Sequence, residues 1–486
     1  MRPGTIAGNP RLFLLATIAA ARQMAGRVLF CLAVLSAGCA SVRQPGGEPS
    51  SDVFPVGVAT VDITPERPIR LTGYGNRATP SERVEGRLWA KAIAFGGERP
   101  ALLIATDLIG VPRQISEEVA RRLQRSGVPR EALAITATHT HTGPSLTGVL
   151  PYIFGTPVPA DEQESIDRYS RGLVDALERL ALAALADRRP ARVAWGRGSA
   201  GFASNRRVLK DGKWTAFGVD LGGAVDHDLP LLAVRDLEGG LRAVVVNYAC
   251  HATTLEGKDN IVHGDWPGAT QALIQQRHPG AVAMVTIGAG ADANPNPRGG
   301  GLTDVGRHAR EVADETDRLL ASTLRPVTSP PAGRFREMTL RFAHVPDRAE
   351  LEEQAVRKDA NGMFARSMLD RIDRGDRLPQ TVSYPVQTWT FGRDLAMVFL
   401  GGEVVADYSL RLKRELDGSR LWVNAYSNDV AFYVPSRRMI PEGGYEVDRS
   451  MIYYGQPGPL TEDTEDQIVR AVRDLLPADF RRSRRW

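Results

Sequence analysis

From Val56 onward the chain alternates between two hydrophobic periods. Short β-prone runs, such as ALLIATD at 101–107, give way to stretches whose apolar residues recur at three- and four-residue spacing, such as QISEEVARRLQRSG at 114–127. The runs at 132–141, 191–198, 229–236, 241–251, 281–290, 395–403 and 420–427 read as further strands. The pattern predicts a long helix over 165–189 and shorter ones over 268–277, 306–324, 348–374 and 404–416. Strands and helices interleaved in this way predict an α/β (α+β) fold of mixed β-sheets flanked by helices. No repeat of solenoid period interrupts it, so residues 55–486 read as one large domain.

The N-terminal stretch breaks the pattern. RVLFCLAVLSAGCAS carries a positive residue, an apolar run and then small residues ending at Cys39. That layout is a secretory signal, too short to span a membrane. SAGC resembles a bacterial lipoprotein box, which implies lipidation at Cys39. A start at Met24 gives a signal of more typical length. Residues 1–39 are therefore expected to be an export signal and 40–54 a flexible Gly/Pro/Ser-rich tether. The expected location is the bacterial cell envelope, periplasm or outer membrane, with anchoring through Cys39. Processing there leaves Cys250 as the one thiol and excludes an intramolecular disulfide framework.

Composition narrows the partners. With 43% hydrophobic and 24% charged residues the chain is of ordinary globular type, and its net charge is only +4. Basic residues are dispersed, with no stripe and no nucleic-acid module, so a nucleic-acid partner is not expected. The terminal RRSRRW reads as a solvated tail.

The chemistry sits where strands end. His139 and His141 close the run 132–141, His251 closes 241–251, GADANPN follows 281–290, Glu403 ends 395–403, and SNDVAFY follows 420–427. Ligands of open α/β sheets bind at the carboxyl ends of strands, so these segments are expected to share one site. On an extended backbone residues two apart point to the same side, which would aim His139 and His141 into one pocket. Taken singly, each has an alternative: His251 as a hydrogen-bonded core residue, Asp265 as a helix cap, Glu403 as a helix N-terminal carboxylate.

In order along the chain, VGVATVDITPERPIRLTGYG, THTHTGP, NYACHATTL, GGEVV, SNDVAFYV and GGYEVDRSMIYYG resemble the motifs of the neutral/alkaline (non-lysosomal) ceramidase family. The resemblance runs from Val56 to about Gly455. It implies a single catalytic domain with one Zn2+ at the strand ends, held by His139, His251, Glu403 and Tyr433. Two imidazoles and a carboxylate leave a position open, as in catalytic zinc sites. Zinc would bring the pKa of its water toward neutrality and polarise the scissile carbonyl. The resemblance further implies that His141 contacts substrate and moves a proton, and that Arg206 and Tyr445 bind or polarise the amide. ADANPN departs from the family's GDVSPN and places Asn294 where the family has a serine. Asparagine can hydrogen-bond but cannot act as a nucleophile. The family's C-terminal immunoglobulin-like domain is not expected in the roughly thirty residues after Gly455.

The expected activity is zinc-dependent hydrolysis of a linear amide, in ceramide or a related small N-acyl or lipid substrate, by a zinc-bound hydroxide. Two rivals remain: a metal-dependent esterase or lactonase on the same site, and a surface lipoprotein that binds a ligand without catalysis.

Overall fold

Three β-α-β units frame the molecule. In the first, the strand Ala101–Thr106 leads through the helix Arg113–Leu123 to the strand Leu133–Ala137. In the second, Leu241–Tyr248 leads through Asp265–Arg277 to Val282–Ile287; in the third, Leu395–Leu400 leads through Ala406–Glu415 to Leu421–Asn424. Each unit pairs its two strands in parallel, which requires such a crossover. Their strands are buried on both faces, as parallel strands covered by helices must be.

The computed structural model describes residues 52–481, which lie within one compact unit. The first two units occupy the ends of a nine-stranded mixed sheet, and antiparallel strands fill the middle. The third unit belongs to a four-stranded sheet begun by Ala332–Arg341 and Thr381–Phe391. The long helix Ala160–Ala186 buries Leu173, Leu177, Leu180 and Ala184. One continuous apolar core joins the sheets and includes the fully buried Trp195, Trp266, Trp389 and Trp422.

Long-range contacts bring the ends of the units together. Thr140 bridges Ala252, and Thr136 bridges Ser427. Ala425 N donates to Ile287 O at 2.9 Å, and Asn428 N to Ile135 O at 2.7 Å. The mixed α/β architecture is therefore the one the hydrophobic pattern predicts.

Several boundaries differ from the sequence reading. The strand expected to run through His141 ends at Ala137. The helix expected over 348–374 is two, Arg348–Ala355 and Ala360–Asp373. The first ends with Val356 as its C-cap, and Asp359 starts the second, its carboxylate accepting from Gly362 N. The strand expected through Glu403 ends at Leu400, and residues 403–404 form a separate short strand before the helix Ala406–Glu415. The export signal, Cys39 and nearly all of the tether lie outside the described residues, as does the tail beyond Arg481. Among the described residues no helix is long and apolar enough to cross a membrane, and Cys250 is a buried free thiol.

Candidate metal centre and active site

The chain turns at His139. Its φ of 57° lies in the left-handed region, which non-glycine residues enter at a cost of roughly 1–2 kcal/mol. This turn replaces the expected strand alternation as the cause of the histidine pairing. It brings the His139 and His141 rings edge to face with centroids 4.9 Å apart and their Nε2 atoms 3.2 Å apart. His139 also stacks on the Tyr426 ring at 4.2 Å.

Backbone carbonyls fix the protonation of all three histidines. Nδ1 of His139 lies 2.6 Å from Ile109 O, that of His141 3.0 Å from Gly73 O, and that of His251 3.1 Å from Gly290 O. A carbonyl only accepts, so each Nδ1 carries a proton, and in the neutral ring Nε2 then presents the lone pair. The ligand-type nitrogens of the three rings all lie within 4.8 Å of one another. Two of the anchoring residues must be glycine. A Cβ on Gly73, at φ 97°, would stand 2.6 Å from His141 Nδ1, and one on Gly290 would stand 2.4 Å from the Ala249 backbone.

Glu403 meets the cluster from the other side. It pairs with Tyr433 in a two-residue parallel ladder, Glu403–Val404 against Tyr433–Val434, so register alone sets the two side by side. Glu403 Oε2 lies 3.1 Å from His139 Nε2 and 3.2 Å from His251 Nε2. Tyr454 Oη donates to the other carboxylate oxygen, while the buried Oε2 has no hydrogen-bond donor. Tyr433 Oη is 3.3 Å from His251 Nε2. Lone pairs that face a carboxylate oxygen repel unless a cation lies between them. For metal–ligand bonds of about 2.0–2.1 Å, tetrahedral ligands stand roughly 3.3 Å apart, and the separations here match. The donor set therefore fits one divalent ion.

Electrostatics agree. Burial lowers the His251 pKa to about 4, and the Arg206 charge adds to the effect. Burial and the neighbouring His139 hold His141 well below its usual value. Both rings are thus uncharged at neutral pH, with Nε2 available as a ligand or base.

Above the cluster lies a cavity of about 360 Å3, lined among others by His141, Arg206, Asn294, Tyr433 and Tyr445. Arg206 is held by Glu446, Nε to Oε1 at 2.8 Å. Its Nη2 donates to Tyr433 Oη at 3.2 Å, and its Nη1 lies 3.3 Å from His251 Nε2. Burial would lower the guanidinium pKa, but Tyr433 and Glu446 raise it well above the ordinary value. Asn294 accepts at Oδ1 from Thr253 Oγ1 at 3.3 Å and from Arg206 at 3.4 Å. The Tyr445 ring packs on Phe217 and Tyr433, with centroids 4.9 and 5.4 Å away.

All eight candidate residues thus come together: His139, His251 and Glu403 at the floor, with His141, Arg206, Asn294, Tyr433 and Tyr445 on the cavity wall. Asp265 does not join them. Its carboxylate accepts from Leu255 N at 2.9 Å and Trp266 N at 2.6 Å, which ties a loop to the start of a helix. Sequence reasoning missed Glu446 and Tyr454, although both lie in the GGYEVDRSMIYYG stretch. A buried acid so close to an aromatic run was the available signal.

The model of the neutral/alkaline non-lysosomal ceramidase N-terminal region matches residues 54–310, more than half of the chain. The chain belongs to the neutral/alkaline non-lysosomal ceramidase family. Among curated ceramidases, that of Pseudomonas aeruginosa is 24% identical over 220 residues, 44% of this chain and 32% of the relative. The neutral ceramidase of Mycobacterium tuberculosis is 29% identical over 227 residues, 44% of this chain and 34% of the relative. The matched segments thus span about a third of those ceramidases' length. The crystal structure of the Pseudomonas aeruginosa neutral ceramidase superposes with a TM-score of 0.67 at 18% identity, covering 87% of this chain and 74% of that one. A ceramidase complexed with C2 superposes with a TM-score of 0.66 at 18% identity, covering 88% and 77%. The shared feature at this identity is the ceramidase fold.

Proposed function

We propose that this ceramidase-family protein is a zinc-dependent hydrolase that cleaves the amide bond of a small N-acyl or lipid substrate. One observation carries the reading: three imidazole Nε2 lone pairs converge with the donor-free Oε2 of Glu403 at the floor of a substrate-sized cavity. His139, His251, Glu403 and Tyr433 would hold the ion. When bound there, zinc supplies an acidified water and a Lewis acid for the scissile carbonyl.

The protein's own groups do the rest. Arg206, fixed by Glu446, directs two N–H groups into the site and stabilises negative charge on the amide oxygen. His141, neutral and on the cavity wall, accepts a proton and delivers it to the departing nitrogen. Tyr445 and Phe217 orient the substrate by apolar contact. Asn294 offers a hydrogen bond and no nucleophile, so this position supports no covalent acyl step. Ceramide and smaller N-acyl amides both suit this chemistry, and the resemblance to ceramidases supports a lipid acyl group. The site would work in the cell envelope, on a chain anchored through Cys39.

A second ligand set, with His141 replacing Tyr433, is favoured by its carbonyl anchor and its 3.2 Å approach to His139. Metal quantification coupled to hydrolysis of matched N-acyl and O-acyl probes tests the whole reading. Zinc near one equivalent with amide turnover is expected. Ester turnover alone would favour an esterase or lactonase, and a protein with neither zinc nor turnover would be a ligand-binding lipoprotein. Asn294→Ser should alter rate or substrate range and leave zinc content unchanged.

A further inference from the structure

The cavity has a second cation besides Arg206. Arg298 lines it beside Asn294 and Thr253. Its ion pairing is loose: Glu256 stands 3.8 Å away and is shared with Lys258 at 3.3 Å. Its other contact is Tyr74 Oη at 3.3 Å, and its buried Nε has no hydrogen-bond partner. Arg206, by contrast, is tied closely to the fully buried Glu446, which Arg207 shares. Asn294 spends its carbonyl oxygen on Thr253 and Arg206, which leaves its amide nitrogen as a donor. Tyr74 connects this cation to the reaction centre, since its ring lies 5.0 Å from that of His141 while its hydroxyl touches Arg298.

We propose that the amine half of the substrate carries an anionic group next to the scissile bond, and that Arg298 with Asn294 recognises it. The substrate class is an N-acyl amino acid. This inference rests on the amide-hydrolase reading above. His141 and Arg298 line one cavity and the Tyr74 ring touches both, so an α-carboxylate on the amine half would face the guanidinium. The guanidinium fork matches a carboxylate in charge and geometry. Hydrolysis breaks the C–N bond, adds the water oxygen to the acyl carbon and protonates the leaving nitrogen. The products are a carboxylic acid and a free amino acid. The acyl group would lie against the apolar lining residues Phe217 and Tyr445.

N-octanoylglycine and N-octanoylglycinamide, nearly equal in size and different in charge, test the proposal on the zinc-loaded protein. The wild type should favour the carboxylate by at least about tenfold in kcat/KM, the scale of a charge-assisted recognition contact. Arg298→Met should erase that preference through KM and leave glycinamide turnover unchanged, and Arg298→Lys should restore part of it. Equal turnover of the two probes, or an equal loss on both in the variant, overturns the proposal. Calorimetric binding of the two probes decides the case where neither is hydrolysed: a carboxylate preference lost in Arg298→Met keeps the anion site and removes only the amidase reading, whereas equal binding removes the site.

Discussion

The Nε2 atoms of His139 and His141 stand 3.2 Å apart, and each ring is held from behind by a backbone carbonyl. Two neutral imidazoles this close, with lone pairs converging, tolerate each other where a cation or a proton is shared. The purified protein should therefore carry about one equivalent of zinc by elemental analysis. His139→Ala and His251→Ala should each remove it together with turnover. His141→Ala should keep the metal and lose turnover; loss of metal in that variant would place His141 among the ligands.

Tyr454 acts on the centre through Glu403. Its hydroxyl donates to the carboxylate oxygen facing away from the histidines, which orients the other oxygen toward them. Partners of this kind are typically worth 10–100-fold in metal affinity. Tyr454→Phe should weaken zinc binding by about tenfold or more in chelator competition, with the fold intact by circular dichroism. Unchanged affinity would reduce Tyr454 to a packing residue.

Gly73 provides both a carbonyl for His141 and the room its ring needs. A methyl at φ 97° and 2.6 Å from Nδ1 strains the loop or pushes the ring away. Gly73→Ala should lower kcat by roughly a hundredfold, the scale of a misplaced reacting group, with zinc retained. Full activity in that variant would show that His141 needs no anchor.

Trp266 ties the helix Asp265–Arg277 to the site. It is fully buried, and its indole N–H donates to His251 O at 2.9 Å. Trp266→Ala should cost about 3–5 kcal/mol in chemical denaturation and also weaken metal binding, since it frees the His251 backbone. A loss under 1 kcal/mol would contradict this packing.

Lys91 gives a pH signature outside the cavity lining. Its ammonium lies inside the sheet, donating to Gln275 at 3.0 Å and Ala283 O at 2.6 Å. Burial lowers its pKa from 10.5 to about 8. Between those values the unfolded chain binds the extra proton, so this residue's contribution to stability rises with pH. At about 1.4 kcal/mol per unit, the wild type should gain roughly 2 kcal/mol relative to Lys91→Met between pH 8 and 9.5. Parallel stability curves for the two proteins would refute it.

The sequence by itself determined most strands and helices, because an apolar run or a 3.6-residue stripe is a local property that burial later rewards. It also placed His139, His141, His251, Asn294, Glu403 and Tyr433 after strand runs, and their order matched a family whose members share this fold. Tertiary structure alone decided how they meet. The left-handed turn at His139 overrode the strand alternation, and a second N-cap at Asp359 restarted a helix that periodicity had read as continuous. Parallel register put Tyr433 beside Glu403, and carbonyls of Ile109, Gly73 and Gly290 assigned a proton to each imidazole. Glu446 and Tyr454 act at the site from across the fold, 240 and 51 residues away from the groups they hold. Such contacts connect positions with no common local pattern, so they exist only once packing has closed the chain on itself.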